Sequence, residues 1–288
     1  MTDDEFKRVL HALMTAPLWS RRKYLRRAGY PRFLYKYRSF DHEDVSSVSR
    51  LRDVAIDSKL WLSSPLDFND PFDMSTRIVV DGSPLKRRAR ISQLVRSVTN
   101  LQTRELRREK VREVSTWSPA KIRSQWAAGY ERQKREIGVY SLAGNARSIL
   151  MWSHYASNHQ GLCLQFDIAR DPETFLHAIS VEYSSEYPVI NWVDDTAKQI
   201  TIAIKRKHCG WRYEGERRIV RPRCARTYLP FRSSAFVGVV FGCNCSPQVR
   251  SAVVDILDER ATSGSPMVTT YLATKHESDY KIVLRRGR

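Results

Sequence analysis

The chain has 288 residues, of which 42% are hydrophobic and 10% aromatic. This composition excludes an intrinsically disordered chain, because disordered segments are poor in apolar and aromatic residues. No run of about 18 apolar residues occurs, and the acidic, amphipathic start differs from a signal peptide, so we expect neither a transmembrane helix nor a leader. The formal net charge is +18, with 49 Lys and Arg against 31 Asp and Glu.

The five cysteines follow neither a disulfide framework nor a zinc-ligand spacing. Small buried hydrophobic side chains are the simplest interpretation of all five. We therefore expect a reduced, cytoplasmic protein, and we predict no metal site.

The first half of the chain alternates helical and extended patterns. Residues 1–32 are predicted to form an N-terminal helical segment, with apolar spacing over 3–16 and a basic stretch after it. A strand is predicted over 33–38, then a helix with Asp41 as its cap, and a strand over 59–63. Residues 84–136 are periodic and rich in Arg and Lys, which predicts two or three inserted helices.

The second half predicts a β-rich core with a few helices. Strands are expected over 138–142, 161–167, 179–183, 211–220, 236–242, 268–272 and 281–284, the fourth as one long strand or a strand pair. Helices are expected over 148–156, 194–208 and 247–260. The predicted fold class is α+β, in which residues 33–288 form a single domain with a mixed β-sheet core and a basic helical insert at about 84–136.

One polar loop lies between two phenylalanines and two prolines. It spans residues 66–73 and contains Asn69, Asp70 and Asp73. A rigid loop of this kind either presents its polar side chains to a cleft or forms an Asx turn that caps backbone amides.

A second cluster combines aromatic side chains with a histidine. Met151, His154 and Tyr155 share one face of the helix predicted over 148–156, next to Trp152. Such a cluster binds a ring, a phosphate or a nucleobase, or it is part of the core.

Two carboxylates follow each other at a spacing of two. On a strand, Glu214 and Glu216 project to the same face, where mutual repulsion raises the pKa of one of them. The pair can then divide electrostatic stabilisation and proton transfer between its members. The alternative is a solvated edge strand whose carboxylates pair with neighbouring arginines.

The excess of basic charge favours nucleic acid as a partner, bound through a basic surface. The sequence contains no helix-turn-helix, zinc-finger or RNP motif, and no glycine-rich phosphate loop. We therefore predict nucleic-acid contact without assigning a known module.

Five motifs in order carry a resemblance to a widespread, uncharacterised bacterial domain family. They are Tyr37-Arg38-Ser39-Phe40, residues 68–73, residues 151–156, Gly161-Leu162-Cys163 and residues 213–217. The resemblance extends over roughly residues 33–245, and the family's name assigns no activity.

The order of an early Arg, a serine-bearing strand and a later Glu-x-Glu also resembles arginine-type ADP-ribosyltransferases, which implies a split β-sheet. By this resemblance Arg38 would contact a phosphate of NAD, and Ser63 or Ser64 would support the nicotinamide side of the pocket. Ser141 competes for that serine role. Glu216 would stabilise the oxocarbenium-like ribose and Glu214 would activate the acceptor. The remaining candidates for NAD binding are Tyr37, Asn69, Asp70, Trp152, His154 and Tyr155, among which Tyr37, Trp152 or Tyr155 would stack the nicotinamide.

The leading hypothesis is an ADP-ribosyltransferase-like enzyme with NAD as substrate and a nucleic acid as candidate acceptor. A toxin or an antiphage defence effector would suit this activity, with an antitoxin or another protein as partner. Two alternatives stay open. One is a metal-dependent nuclease that uses Asp70 or Asp73 with Glu214 and Glu216, and the other is a non-catalytic nucleic-acid-binding protein.

Overall fold

The computed structural model describes residues 3–97, 103–194 and 196–287. The chain divides into two compact units. The first unit consists of Met1–Ser63, Gly138–Val181 and Gly210–Arg288, and the second of Ser64–Ile137 and Glu182–Cys209. The second unit therefore contains the predicted helical insert together with residues from both sides of it.

The helices and strands have the following bounds. The α-helices are α1 (Asp3–Thr15), α2 (Leu18–Arg27), α3 (Val45–Ala55), α4 (Pro84–Ser97), α5 (Arg104–Ser115), α6 (Pro119–Glu136), α7 (Ile149–Tyr155), α8 (Pro172–Phe175), α9 (Thr196–Lys205) and α10 (Pro247–Thr262). The strands are β1 (Phe33–Arg38), β2 (Lys59–Leu62), β3 (Arg77–Val79), β4 (Gly138–Ala143), β5 (Leu162–Asp167), β6 (Ala178–Ser180), β7 (Glu182–Ser184), β8 (Val189–Asn191), β9 (Arg206–His208), β10 (Glu216–Arg221), β11 (Thr227–Pro230), β12 (Phe236–Phe241), β13 (Thr269–Lys275) and β14 (Ile282–Arg286).

The first unit is built on a continuous eight-stranded sheet in the order β14-β13-β12-β5-β1-β4-β10-β6. Strands β12 and β13 are parallel, and the other neighbouring pairs are antiparallel. A separate two-stranded ribbon joins β2 to β11. The α+β class with a mixed sheet is thereby confirmed.

The two faces of the main sheet differ in what covers them. Tyr35 of β1 lies opposite Ala143 of β4, which in turn lies opposite Glu216 of β10, so these three side chains share one face. We name it the Glu216 face. Because side chains alternate along a strand, Leu34 and Arg38 project to the other side, which we name the Arg38 face.

A large hydrophobic core covers the Arg38 face. It joins sheet residues such as Leu34, Leu164 and Ile219 to buried side chains of the helices, among them Leu51 of α3 and Val253 of α10. The Glu216 face has a smaller cluster, in which α7 packs against the sheet. Burial of the first cluster is the main source of the unit's stability, since apolar burial dominates folding.

The second unit has its own core and short parallel strand pairs. Helices α4 and α6 contribute Ile91, Val95 and Ile122 to a cluster with Trp192. Strand β3 pairs with β8, and β7 pairs with β9. The prediction of two or three helices over 84–136 is confirmed, with three helices formed.

Several predicted boundaries are wrong for local reasons. Asp44, not Asp41, caps α3, because its carboxylate accepts hydrogen bonds from the amides of Ser46 and Ser47. The strand predicted over 179–183 is divided between β6 and β7, which pair with different strands. The predicted helix over 194–208 ends at Lys205, and its last residues form β9.

None of the described helices combines the length and the apolar character needed to cross a membrane.

Candidate active site

The two candidate carboxylates do not share a strand. Glu214 ends a 3-10 turn, Cys209–Glu214, whereas Glu216 is the first residue of β10. Gly215 between them has a φ of +52°, a left-handed conformation that favours glycine. The prediction that both carboxylates project from one strand face is therefore wrong, since the backbone turns at Gly215.

Glu216 forms a buried, two-pronged ion pair with Arg218. The Nε of Arg218 donates to one carboxylate oxygen at 2.8 Å, and Nη2 donates to the other at 2.9 Å. The side chain of Arg218 has no exposed surface, and Glu216 is 6% exposed. This fork geometry fixes the carboxylate plane, because both of its oxygens are held by one planar guanidinium.

Glu214 is held from the side of α7. The Tyr155 hydroxyl donates a hydrogen bond of 2.6 Å to Oε1 of Glu214, which is also buried. Ser148 caps α7, where its hydroxyl accepts from the Met151 amide. The same hydroxyl lies 3.5 Å from the Tyr213 carbonyl oxygen, to which it donates. Helix α7 and the 3-10 turn are thus joined at two points.

Two of the three aromatic side chains predicted to stack the nicotinamide lie in the core. Tyr37 and Trp152 are buried and meet edge to face, with ring centroids 5.1 Å apart. The Trp152 indole donates to the Ala146 carbonyl oxygen at 2.9 Å, and the Tyr37 hydroxyl donates to that of Asn145 at 2.8 Å. Burial raises the pKa of the Tyr37 phenol, so this hydroxyl stays protonated. Because both rings are buried against each other and the sheet, neither presents a free face on which a nicotinamide could stack.

Two other members of the aromatic motif remain accessible. Tyr155 is half-buried, and His154 is exposed, with its ring 5.9 Å from that of Tyr213.

Arg38 lies on the opposite face of the main sheet from Glu216. It is opposite Leu162 of β5, and its guanidinium donates to the Arg50 carbonyl oxygen at 3.0 Å. Burial lowers the pKa of Arg38. The predicted common site requires Arg38 beside the two carboxylates. The sheet instead places Arg38 on the opposite face from Glu216.

The predicted serines have structural partners. Ser63 pairs with Val139 through two backbone hydrogen bonds, beside β4. Ser64 is fully buried in the second unit, where it caps the 3-10 turn Pro65–Asp67 and donates to the Lys134 carbonyl oxygen. Ser141, in contrast, lies opposite Arg218 on the Glu216 face. Of the three candidate serines, the first unit places Ser141 beside the ion pair.

The loop over 66–73 belongs to the second unit. Asp70 is buried, and its Oδ1 accepts from the Phe72 amide at 2.9 Å, which is the Asx turn considered for this loop. Asn69 is exposed, and Asp73 is buried. Of the residues that the nuclease alternative uses, Asp70 and Asp73 belong to the second unit, and Glu214 and Glu216 belong to the first. Among the described residues no group of three or more His, Cys, Asp or Glu side chains is placed to hold a metal ion.

The alternative in which the carboxylates pair with neighbouring arginines holds for Glu216 and Arg218, but the pair is buried and β10 is an interior strand rather than a solvated edge. Two further polar side chains on the Glu216 face were missed. Tyr35 and Gln165 lie opposite each other on β1 and β5, and Gln165 donates to the Tyr35 hydroxyl at 3.3 Å. Their pairing depends on strand register, for which the local sequence has no signal.

Comparison with known families gives a match over one segment of the chain. Residues 151–219 match the model of a family described as "Protein of unknown function (DUF2971)", which covers about a quarter of the chain. The match confirms the predicted resemblance to an uncharacterised family over this segment and gives no similarity to ADP-ribosyltransferases. Searches among curated proteins and solved structures returned no significant match. Both the Tyr155–Glu214 hydrogen bond and the Glu216–Arg218 ion pair thus lie within a segment that matches a family whose description assigns no activity.

Proposed function

We propose that the chain is an ADP-ribosyltransferase-like enzyme that uses NAD as substrate, and that its reaction takes place at Glu214 and Glu216. The supporting observation is the arrangement of two buried carboxylates, one held by Arg218 and the other by Tyr155. Groups fixed in this way stabilise developing charge without having to reorganise during the reaction.

The proposed reaction breaks the bond between the nicotinamide nitrogen and C1 of the ribose. Nicotinamide leaves with the bonding electron pair, and positive charge develops on the ribose. The carboxylate of Glu216 stabilises this charge electrostatically. A hydroxyl or amine of the acceptor then forms a bond to C1 and loses its proton, which Glu214 accepts as general base.

The burial of the two carboxylates suits this chemistry. A carboxylate in a buried environment attracts an oxocarbenium-like ribose more strongly than it would in water. Tyr155 is the aromatic side chain best placed to contact the nicotinamide ring, since it is half-buried and bonded to Glu214.

The phosphate contact predicted for Arg38 is not part of this proposal. Arg147 takes its place, because it is exposed, directly precedes the cap of α7, and acts electrostatically on both Tyr35 and Tyr37. A phosphate bound there would lie on the Glu216 face.

The proposal is tested by incubating the purified protein with labelled NAD and a mixture of DNA, RNA and cell extract. We expect release of nicotinamide and transfer of label to an acceptor, both lost in Glu216→Gln. That variant keeps the size of the side chain and removes its charge. Neither release nor transfer with any acceptor, including water, would contradict the proposal.

Nucleic acid is the acceptor class that we propose, in a cytoplasmic toxin or defence effector whose partner is an antitoxin or another protein. Supporting this, residues 84–136 contain fifteen Lys and Arg against five Asp and Glu. Helix α5 presents Arg104, Arg108 and Arg112 to solvent at a spacing of four, which places them on one face. Solvent-exposed arginines in such a row suit contacts to successive phosphates.

The nucleic-acid proposal is tested by the salt dependence of binding to a random-sequence RNA and DNA. Replacing all three of these arginines by Gln is expected to weaken binding and to lower the slope of log K against log salt by about 2 to 3. A triple variant in α1 and α2, Arg8→Gln, Lys23→Gln and Arg27→Gln, is the control with equal loss of charge. An equal change in both variants would contradict the proposal that nucleic acid binds to the arginine row of α5.

A further inference from the structure

A cleft of about 380 Å³ lies within the second unit, and it contains none of the residues of the proposed active site. Its lining combines the aromatic side chains Phe72 and Tyr187 with Ser184, Ser185 and Arg206. This volume falls within the usual range of small-molecule sites, and the mixture of apolar walls with a few polar groups is typical of them.

Arg206 has donor capacity that the described residues do not use. Its Nε is buried and has no hydrogen-bond partner in the described part of the chain. The carboxylate of Glu182 lies 3.7 Å from Nη2, which is beyond hydrogen-bonding distance. The side chain as a whole is 31% exposed, so its terminal nitrogens reach solvent. An acceptor that draws the guanidinium toward the cleft would satisfy a donor that burial leaves unpaired.

The neighbouring cation is already engaged. Lys207 lies 3.5 Å from Oδ2 of Asp73, and both side chains are buried. Of the acidic side chains in this region, Glu186 lines the cleft and Glu182 lies on β7, and both are exposed. Arg206 therefore brings an unpaired donor to the cleft, while Lys207 is paired with Asp73.

Two large aromatic side chains border the cleft and are exposed to solvent. Phe72 is 64% exposed and Tyr187 is 48% exposed. Exposed aromatic side chains beside a concave polar site gain free energy when a planar ligand covers them. The hydroxyls of Ser184 and Ser185 add donors for an oxygen-rich group.

We propose that this cleft binds a nucleotide. Its base packs against Tyr187 and Phe72, and its phosphate binds Arg206 and the two serine hydroxyls. A guanidinium and hydroxyl donors suit phosphate oxygens, and the aromatic walls suit a planar ring. The site is separate from the proposed transferase site and does not depend on NAD turnover.

The test measures binding of AMP, GMP, CMP and UMP to the full chain by isothermal titration calorimetry, with adenosine as the probe that lacks phosphate. We expect at least one nucleotide to bind. Removal of the phosphate and the substitution Arg206→Met are each expected to weaken binding by at least tenfold, while Arg206→Lys restores part of it. Arg123→Met, an exposed change on α6 in the same unit, and Glu216→Gln in the first unit are expected to leave binding unchanged.

Three results would overturn the proposal. They are no binding of any of the four nucleotides at millimolar concentration, equal binding by Arg206→Met, and loss of binding in Glu216→Gln. Should Arg206→Met fail to fold, Tyr187→Ser decides, because Tyr187 is half-exposed and its removal does not open the core. Unchanged nucleotide binding by a folded Tyr187→Ser would overturn the aromatic contact. Because a nucleoside monophosphate has no nicotinamide bond, these outcomes are independent of failure of the transferase proposal.

Discussion

The arginines on the two faces of the main sheet have different hydrogen-bond partners. On the Glu216 face, Arg218 forms two hydrogen bonds to a carboxylate in a fully buried pair. On the Arg38 face, Arg38 donates to the neutral Arg50 carbonyl oxygen beside the large core. The order of residues along the chain does not decide whether they share a site. Residues on neighbouring strands meet only when their side chains project to the same face of the sheet. The strand pairing places Glu216 and Arg218 on one face and Arg38 on the other.

The largest expected effect is that of Arg218→Met, which leaves the carboxylate of Glu216 buried without its guanidinium. Breaking a buried ion pair by removing one partner costs about 3–5 kcal/mol of unfolding free energy. Arg38→Met removes a guanidinium that binds a neutral carbonyl, and we expect it to cost less than about 2 kcal/mol. Urea unfolding of both variants checks the difference, and equal losses would remove the contrast between the faces.

A smaller effect is expected at the other carboxylate. Tyr155→Phe removes the hydroxyl that donates to Glu214, and hydrogen bonds to charged groups contribute about 1.5–3 kcal/mol. Thermal and urea unfolding are the measurements. Tyr24→Phe, at an exposed position of α2, serves as the matched control and is expected to change stability by less than about 0.5 kcal/mol. If both variants match the wild type, the hydrogen bond does not hold Glu214.

The smallest expected effect is a pH dependence that originates on the Glu216 face. The pKa of Tyr37 is raised above its usual value of 10.0, mainly by burial. The folded chain therefore keeps a proton that the unfolded chain loses above about pH 10. The stabilisation is complete below that pH and is lost as the pH rises toward the folded-state pKa. Tyr37→Phe should lose less stability between pH 9 and pH 11 than the wild type does. An identical alkaline slope would show that Tyr37 is not the group responsible.

Much of the fold follows from local patterns. The apolar periodicity of α1 and α4–α6, the continuous apolar run of β12 and the alternation of β1 all predict their elements. Short strands such as β3, β8 and β11 were missed, since three or four residues carry no period and form only when a distant partner is present. Helix α2 was predicted only as a basic stretch within a helical segment, because its charges obscure its buried Leu25.

The candidate site was predicted in part. The sequence singled out Glu214, Glu216 and Tyr155, and the structure brings the hydroxyl of Tyr155 to Glu214. It offered pairing with neighbouring arginines only as an alternative on a solvated edge, and it did not predict the turn at Gly215 or the burial of the Glu216–Arg218 pair. Both depend on strand register and on a backbone conformation that is fixed only after the sheet forms. Arg38 was placed in the site by its order in the chain, which carries no information about the face of a sheet.

The most direct test compares nicotinamide release from NAD by the wild type, Glu216→Gln and Arg38→Lys under identical conditions. The proposal that the chemistry lies on the Glu216 face predicts a loss of at least about 100-fold for Glu216→Gln, in line with removal of an electrostatic stabiliser. Arg38→Lys, which keeps its charge on the other face, should stay within about threefold of the wild type. Equal activity of Glu216→Gln and the wild type, or a selective loss in Arg38→Lys, would contradict it.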